Sequence, residues 1–197
     1  MKKYIVIGLA VVALGTFGFH ASSTYNRLVP IEERVNLSYA EYQNQLKRQA
    51  DLIPNMAEIV KGYMNSEQKT MIDTAMARSG DLAKIKPSDV ANNPELQKKL
   101  VDAQASMGQA MVTLNAVRES YPVLRADRQV DRLMVELAGT QNRVTVARFE
   151  NQRTVNNYNL EVRKFPGMIT ARIIGFSTLP YFLVSESEQN APKINFK

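Results

Sequence analysis

The sequence predicts an all-α protein: an elongated antiparallel helical bundle behind one N-terminal transmembrane helix, ending in an extended C-terminal tail. Three observations carry this reading. Residues 4–19 form an uncharged apolar run; residues 94–121 and 127–164 place apolar side chains alternately three and four positions apart; and beyond Phe165-Pro166-Gly167 no further long periodic pattern follows. With 197 residues and 45% apolar content there is room for one domain with its own core beside an anchor. The expected division is residues 1–3 as a cytoplasmic N-terminus, 4–21 as the anchor, 22–175 as an extracytoplasmic bundle and 176–197 as the tail.

Residues 4–19 make a helix of roughly 24 Å at about 1.5 Å per residue, short of the ~30 Å hydrocarbon core of a bilayer. An uncleaved anchor competes with an export signal removed after translocation. A cut after Ala21 would put Phe19 at a recognition position that wants a small residue, so the anchor is the reading taken, with Tyr4, His20 and Tyr25 near the interfaces. Lys2 and Lys3 lie on one side and only Arg27 lies close on the other, which places the N-terminus in the cytoplasm and the remaining chain outside it.

After a short polar exit over residues 22–26, Pro30 suits a first helical turn, with Glu32 and Glu33 near the positive end of the helix dipole. Ile31, Val35, Tyr39, Tyr42, Leu46, Ala50 and Ile53 then fall on one face. Pro54 predicts a kink or short break over residues 51–54, with Asp51 capping a renewed helix that continues to about Arg78 and stops at Ser79-Gly80. Residues 81–93 lose the pattern and read as a loop.

Asn93-Pro94-Glu95 supplies a cap, a first-position proline and an acidic first turn. Leu96, Leu100, Ala103, Met107, Ala110, Leu114, Val117 and Tyr121 follow as a bundle seam that Pro122 ends. Asp127 can cap the last long helix, whose seam is Val130, Leu133, Leu137, Thr140, Val144, Ala147, Asn151, Val155, Tyr158 and Val162. One or two further turns are expected over residues 168–174.

At this point the chain resembles the LemA family of bacterial membrane proteins. The resemblance rests on Tyr25-Asn26-Arg27-Leu28-Val29, on Gln45 to Gly62 with Arg48 and Asp51-Leu52-Ile53-Pro54-Asn55, and on Val60-Lys61-Gly62-Tyr63. It continues through Ala77-Arg78, Tyr121-Pro122, the run Gly139 to Arg148, Tyr158-Asn159, Phe165-Pro166, Gly175-Phe176, Tyr181-Phe182 and Ala191-Pro192-Lys193. Pro30 and Glu32-Glu33 depart from it and bear only on where the first helix starts. The resemblance implies a short cytoplasmic N-terminus, one spanning helix and a largely helical domain outside the bacterial cytoplasmic (inner) membrane, periplasmic or extracellular. It carries over no catalytic residue.

The residues themselves offer little chemistry. No cysteine is present, and the single histidine, His20, sits at the edge of the apolar run, which removes the usual nucleophile, base and zinc ligands from the folded part. The closest carboxylate pairs, Glu32 with Glu33 and Asp127 with Asp131, lie at helix starts where acids belong for dipole reasons. No catalytic, metal or cofactor site is therefore expected, and the protein is read as non-catalytic. The alternative is a hydrolase working through Glu58 and Asp73. The net charge of +6 is ordinary for a solvated helical surface, although the arginine-rich last helix could meet anionic lipid heads if it lay near the membrane. No nucleic-acid reading motif is present.

The expected function is that of a membrane-anchored module binding or scaffolding a membrane or envelope protein, with a self-associating spacer as a further alternative. The candidate partner surface is Arg48, Asp51, Pro54 and Asn55 around the predicted kink, Arg143 and Arg148 on the last helix, and Ile194 and Phe196 in a tail whose alternating pattern suits strand addition to a partner's sheet. Thr140 and Asn151 are the polar seam residues expected to fix register.

Overall fold

The computed structural model describes residues 2–82 and 85–181, and every regular element among them is helical. In order these are α1 (Lys2–Val60), a 3-10 turn (Lys61–Tyr63), α2 (Ser66–Leu82), α3 (Pro87–Val90), α4 (Pro94–Ser120), α5 (Pro122–Ala126), α6 (Arg128–Arg163) and α7 (Gly167–Ile173).

The first helix departs most from expectation. Residues 22–26 are helical rather than a polar exit, and α1 runs without interruption through both Pro30 and Pro54. An interior proline forfeits a hydrogen bond and costs about 3 kcal/mol. Tertiary burial offsets that cost: Thr24, Leu28, Val35, Tyr39, Tyr42, Leu46, Gln49, Ile53, Met56 and Val60 are all buried along one side, so packing pins the axis on both flanks of each proline.

The break falls instead at residues 61–65. Met64 adopts an extended conformation, and Asn65 and Gln68 form a reciprocal capping box: Gln68 N donates to Asn65 Oδ1 (2.8 Å) and Asn65 N donates to Gln68 Oε1 (2.9 Å). Asn65→Ala should therefore lower stability by about 1 kcal/mol, measured by chemical denaturation against the parent chain.

The expected loop over residues 81–93 contains α3, whose Val90 is buried together with the following Ala91. The two predicted caps are present. Asn93 Oδ1 accepts from the backbone of Glu95 (3.0 Å) and Leu96 (3.2 Å), and Asp127 Oδ1 accepts from Gln129 (2.7 Å) and Val130 (3.3 Å). Of the predicted α4 seam, Leu100 to Val117 is buried and Leu96 is half-buried, while Tyr121 is exposed against the Tyr63 ring, 4.9 Å between centroids. Every predicted α6 seam residue is buried except Leu133, which is half-buried.

Interhelical bonds give the directions. Arg27 meets Glu161, Ser38 meets Asn151 and Gln49 meets Gln141, so α6 runs antiparallel to α1. Tyr39 meets Gln97, Tyr42 meets Gln104 and Gln49 meets Met111, so α4 runs parallel to α1. Arg78 with Ser106 and Met71 with Thr113 turn α2 antiparallel to α4. The long first helix is thus shared between two helix pairs, and the core follows it.

Beyond α7 the chain reverses through a Schellman turn: Phe176 N donates to Ala171 O (2.9 Å), Gly175 N lies 3.4 Å from Arg172 O, and Gly175 has φ +95°. No side chain crowds that glycine, so Gly175→Ala should cost about 1–2 kcal/mol through left-handed backbone alone; replacing it with asparagine, which tolerates that region, should recover part of the loss in the same melt. Residues 176–181 are non-helical and run back along α6. Asn159 holds them by two bonds, Leu179 N to Oδ1 (2.7 Å) and Nδ2 to Leu179 O (2.9 Å).

Candidate functional site

The end of α1 and the start of α2 form a helical hairpin, because the 3-10 turn over Lys61–Tyr63, the extended Met64 and the Asn65 cap turn the chain back after Val60. Between the two helices lies an open groove of about 260 Å³. Pro54, Ala57, Met64, Ile72 and Met76 make its apolar lining, and Glu58, Lys61, Lys69 and Asp73 supply charges of both signs around it. Such a surface can receive apolar side chains of a partner segment while the rim pairs with its polar groups. The lysines Lys61 and Lys69 and the acids Glu58 and Asp73 are all exposed, and Lys61 Nζ lies 3.3 Å from Glu58 Oε2, an exposed pair worth at most about 1 kcal/mol. Glu58 and Asp73, the two carboxylates of the hydrolase alternative, do share this groove. No group of three or more acidic or histidine side chains able to hold a metal occurs among the described residues.

The other predicted surface residues divide between this end and the interior. Arg48, Asp51, Pro54 and Asn55 are all exposed on the outward arc of α1. Arg48 Nη2 reaches Glu136 of α6 (3.3 Å), and Asn55 Nδ2 donates to the Asp51 carbonyl (3.3 Å). Arg143, exposed, lines a second groove of about 370 Å³ between α1 and α6 with Ser38, Glu41, Gln45 and Glu150, and donates to Thr140 Oγ1 (2.8 Å). Arg148 turns inward and is half-buried, with Nη1 3.4 Å from Gln104 Oε1. Ile194 and Phe196 lie outside the described residues.

A chain of buried polar groups runs through the interfaces of α1. Tyr42 Oη donates to Gln104 Oε1 (2.7 Å), Gln49 Nε2 to Gln141 Oε1 (2.6 Å), and Gln97 Nε2 to Tyr39 Oη (2.9 Å) and to the Val90 carbonyl (3.2 Å). Asn151 Nδ2 donates to Ser38 Oγ (2.8 Å), so it ties α6 to α1, whereas Thr140 Oγ1 bonds back to Glu136 O within its own helix (2.8 Å). Burial raises the phenol of Tyr39 well above its usual value, and pushes Tyr158 up to about 12, with the Glu32 charge adding to the effect. Glutamines 97 and 104 carry no signal in the sequence, since a glutamine beside a seam position reads like any exposed helix former.

At the opposite end, α1 contains one stretch long and apolar enough to cross a membrane, and none of that stretch is buried against the rest of the chain. Burial begins at Ala21 and Thr24, immediately beyond it.

A model of the LemA family matches residues 38–196. The magnetosome protein MamQ of Magnetospirillum gryphiswaldense (strain DSM 6361 / JCM 21280 / NBRC 15271 / MSR-1) is 21% identical over 194 residues, covering 90% of this chain and 71% of its own. Magnetosome proteins MamQ 1 and MamQ 2 of Paramagnetospirillum magneticum (strain ATCC 700264 / AMB-1) are each 22% identical over 174 residues, covering 80% of this chain. The match spans 64% of the length of these last two relatives. Because the family model reaches from the middle of α1 to within one residue of Lys197, the chain belongs to the LemA family.

Proposed function

We propose that the chain is a membrane-anchored helical module that binds or scaffolds a membrane or envelope protein, and that it does so without catalysis. In this reading residues 1–3 are cytoplasmic, residues 4–21 span the bacterial inner membrane, residues 22–175 form an elongated antiparallel bundle in the periplasm or outside the cell, and residues 176–197 form its tail. Lys2 and Lys3 against the lone Arg27 support that orientation. The observation that carries the proposal is the continuity of α1. One helix joins the apolar span to the hairpin groove, so Pro54 stands about 50 Å along the axis from Ala21. A groove held at fixed height above a bilayer, lined by apolar residues and rimmed by both charges, suits a partner confined to the same membrane.

The proposed contact surface is the groove together with Arg48, Asp51, Pro54 and Asn55, with Arg143 on the adjoining flank. Photo-crosslinking groups placed at Asp51, Asp73 and Arg143 of the full chain in its own membrane should capture one recurrent membrane-fraction protein. Absence of any capture at these three positions would sink the binding reading.

Self-association is a second reading with an observation of its own. Val135, Val146, Phe149 and Leu160 are exposed on α6 and fall within about 60° of one another around its axis. If probes at Phe149 yield chain-to-chain products and those at Asp73 yield nothing, the protein is a spacer that pairs through α6.

A further inference from the structure

Phe165, Met168, Ile169 and Ile173 are 76, 48, 54 and 62% exposed within nine consecutive residues, on and just before α7. The opposite side of α7 is seated: Thr170 and Ala171 are buried, and Gly167 faces α1 so closely that a Cβ there would stand 2.8 Å from Arg27 Nη2 and 3.8 Å from Thr24 Oγ1. The segment is therefore docked by one face and leaves a clustered apolar face uncovered, which is uncommon on a surface that meets only water.

Its position says what covers it. α7 rests on α1 at Thr24 and Arg27, and Phe176 stacks edge-on against Tyr25 with centroids 6.0 Å apart. Thr24 lies about 8 Å along the helix from Phe19, the last residue of the uncharged run, and the headgroup layer of a bilayer is about 5–8 Å thick on each side. The anchor thus sets α7 at headgroup depth, and the shortness of that anchor draws it closer still.

The charge is complementary. Residues 20–34 and 161–176 hold Arg27, Arg34, Arg163, Lys164 and Arg172 against Glu32, Glu33 and Glu161; the first two acids lie more than a turn beyond Arg27 along α1, and Glu161 is approached at 3.3 Å by both Arg27 and Lys164. Arg163 and Arg172 are exposed.

From this juxtaposition we infer that α7 and Phe165 form a second membrane contact, a foot that inserts apolar side chains at the acyl boundary while Arg163, Lys164 and Arg172 meet anionic headgroups. The arrangement is that of an interfacial amphipathic segment, and because it is joined to a spanning helix it needs little affinity of its own. A foot and an anchor together fix the tilt of the domain, which a single helix cannot do. The inference rests on the anchored reading above.

The chain has no tryptophan, so single tryptophans report cleanly. The full chain is reconstituted in phosphatidylcholine vesicles, with and without phosphatidylglycerol, some of the lipid carrying bromine on the acyl chains. Phe165→Trp and Ile169→Trp should each lose most of their emission to the brominated lipid, whereas Phe149→Trp, roughly 24 Å further along α6, should keep it. Phosphatidylglycerol should deepen the quenching at 165 and 169, and replacing Arg163, Lys164 and Arg172 with glutamine should abolish that increment.

Leu14→Trp separates the two possible failures. If Leu14→Trp is quenched while Phe165→Trp and Ile169→Trp behave like Phe149→Trp, the foot is wrong and the anchor stands. If Leu14→Trp also escapes quenching, the anchored reading has failed and the foot with it. A blue shift at 165 without quenching, growing as protein is crowded into the vesicle, would put a second copy of the chain on this face and overturn the proposal.

Discussion

Between about pH 10 and pH 12 the folded chain will lose stability as the pH rises, by roughly 2 kcal/mol from Tyr158 alone once the pH reaches its folded value of about 12. The sign follows from which state holds the proton. In the unfolded chain a tyrosine ionises near 10, whereas the buried phenol keeps its proton to about 12. Between those values the unfolded state binds fewer protons, so alkali favours unfolding, and below about pH 10 the full stability is present. Tyr39, raised by the same burial, pulls in the same direction. Tyr158→Phe removes one ionisable group without removing the ring. Its unfolding free energy, measured by denaturant in detergent micelles, should be flatter over this window than that of the parent chain. Equal slopes for the two would mean that Tyr158 is open to water in the folded state.

Leu46→Ala should cost about 3 kcal/mol, within the 2–5 range found for burying and then deleting a leucine side chain. Leu46 is completely buried on the seam of α1, one turn beyond Tyr42 and one turn before Gln49. Those neighbours are held by hydrogen bonds to Gln104 and Gln141 on two different helices, so the surroundings cannot collapse into the space without giving up bonds. The loss is a large fraction of the roughly 5–15 kcal/mol that a domain of this kind has in total. Leu37→Ala, at a position 60% exposed on the same helix, is the matched control and should change stability by less than about 0.5 kcal/mol. Similar denaturation midpoints for the two variants would place the core elsewhere.

The parts of the fold legible in the sequence are those where a local signal and the tertiary arrangement agree. Asn93-Pro94 and Asp127 cap the helices they were expected to cap, because a cap needs only its own next three residues. The α6 seam was readable for the same reason, since spacing alone names its face. The first helix shows what local signals miss. Pro30, Pro54 and the polar residues 22–26 all argue for interruption, yet burial on one side carries the helix across all three places. The real end, at residues 61–65, was marked by Asn65 and Gln68, a capping pair with glutamine rather than the more familiar glutamate.

The candidate site was less legible. Arg48, Asp51, Pro54 and Asn55 do share an exposed arc, as their spacing on a helix requires. The groove beside them depends on where α2 folds back, and no spacing within α1 encodes that. Arg148 illustrates the opposite difficulty: among the many arginines of α6 nothing in its neighbours distinguishes the one that turns toward Gln104.

The unbroken first helix, finally, makes the compass bearing of the domain a property of its stalk. With no joint between span and bundle, one alanine inserted between His20 and Ala21 would turn the whole domain by about 100° and raise it by about 1.5 Å, while seven would return it to within about 20° of its original heading. A function that depends on facing a neighbour in the same membrane should then fade and revive as residues are added, with the rhythm of the helix itself. Indifference to the inserted number would mean that the stalk swivels.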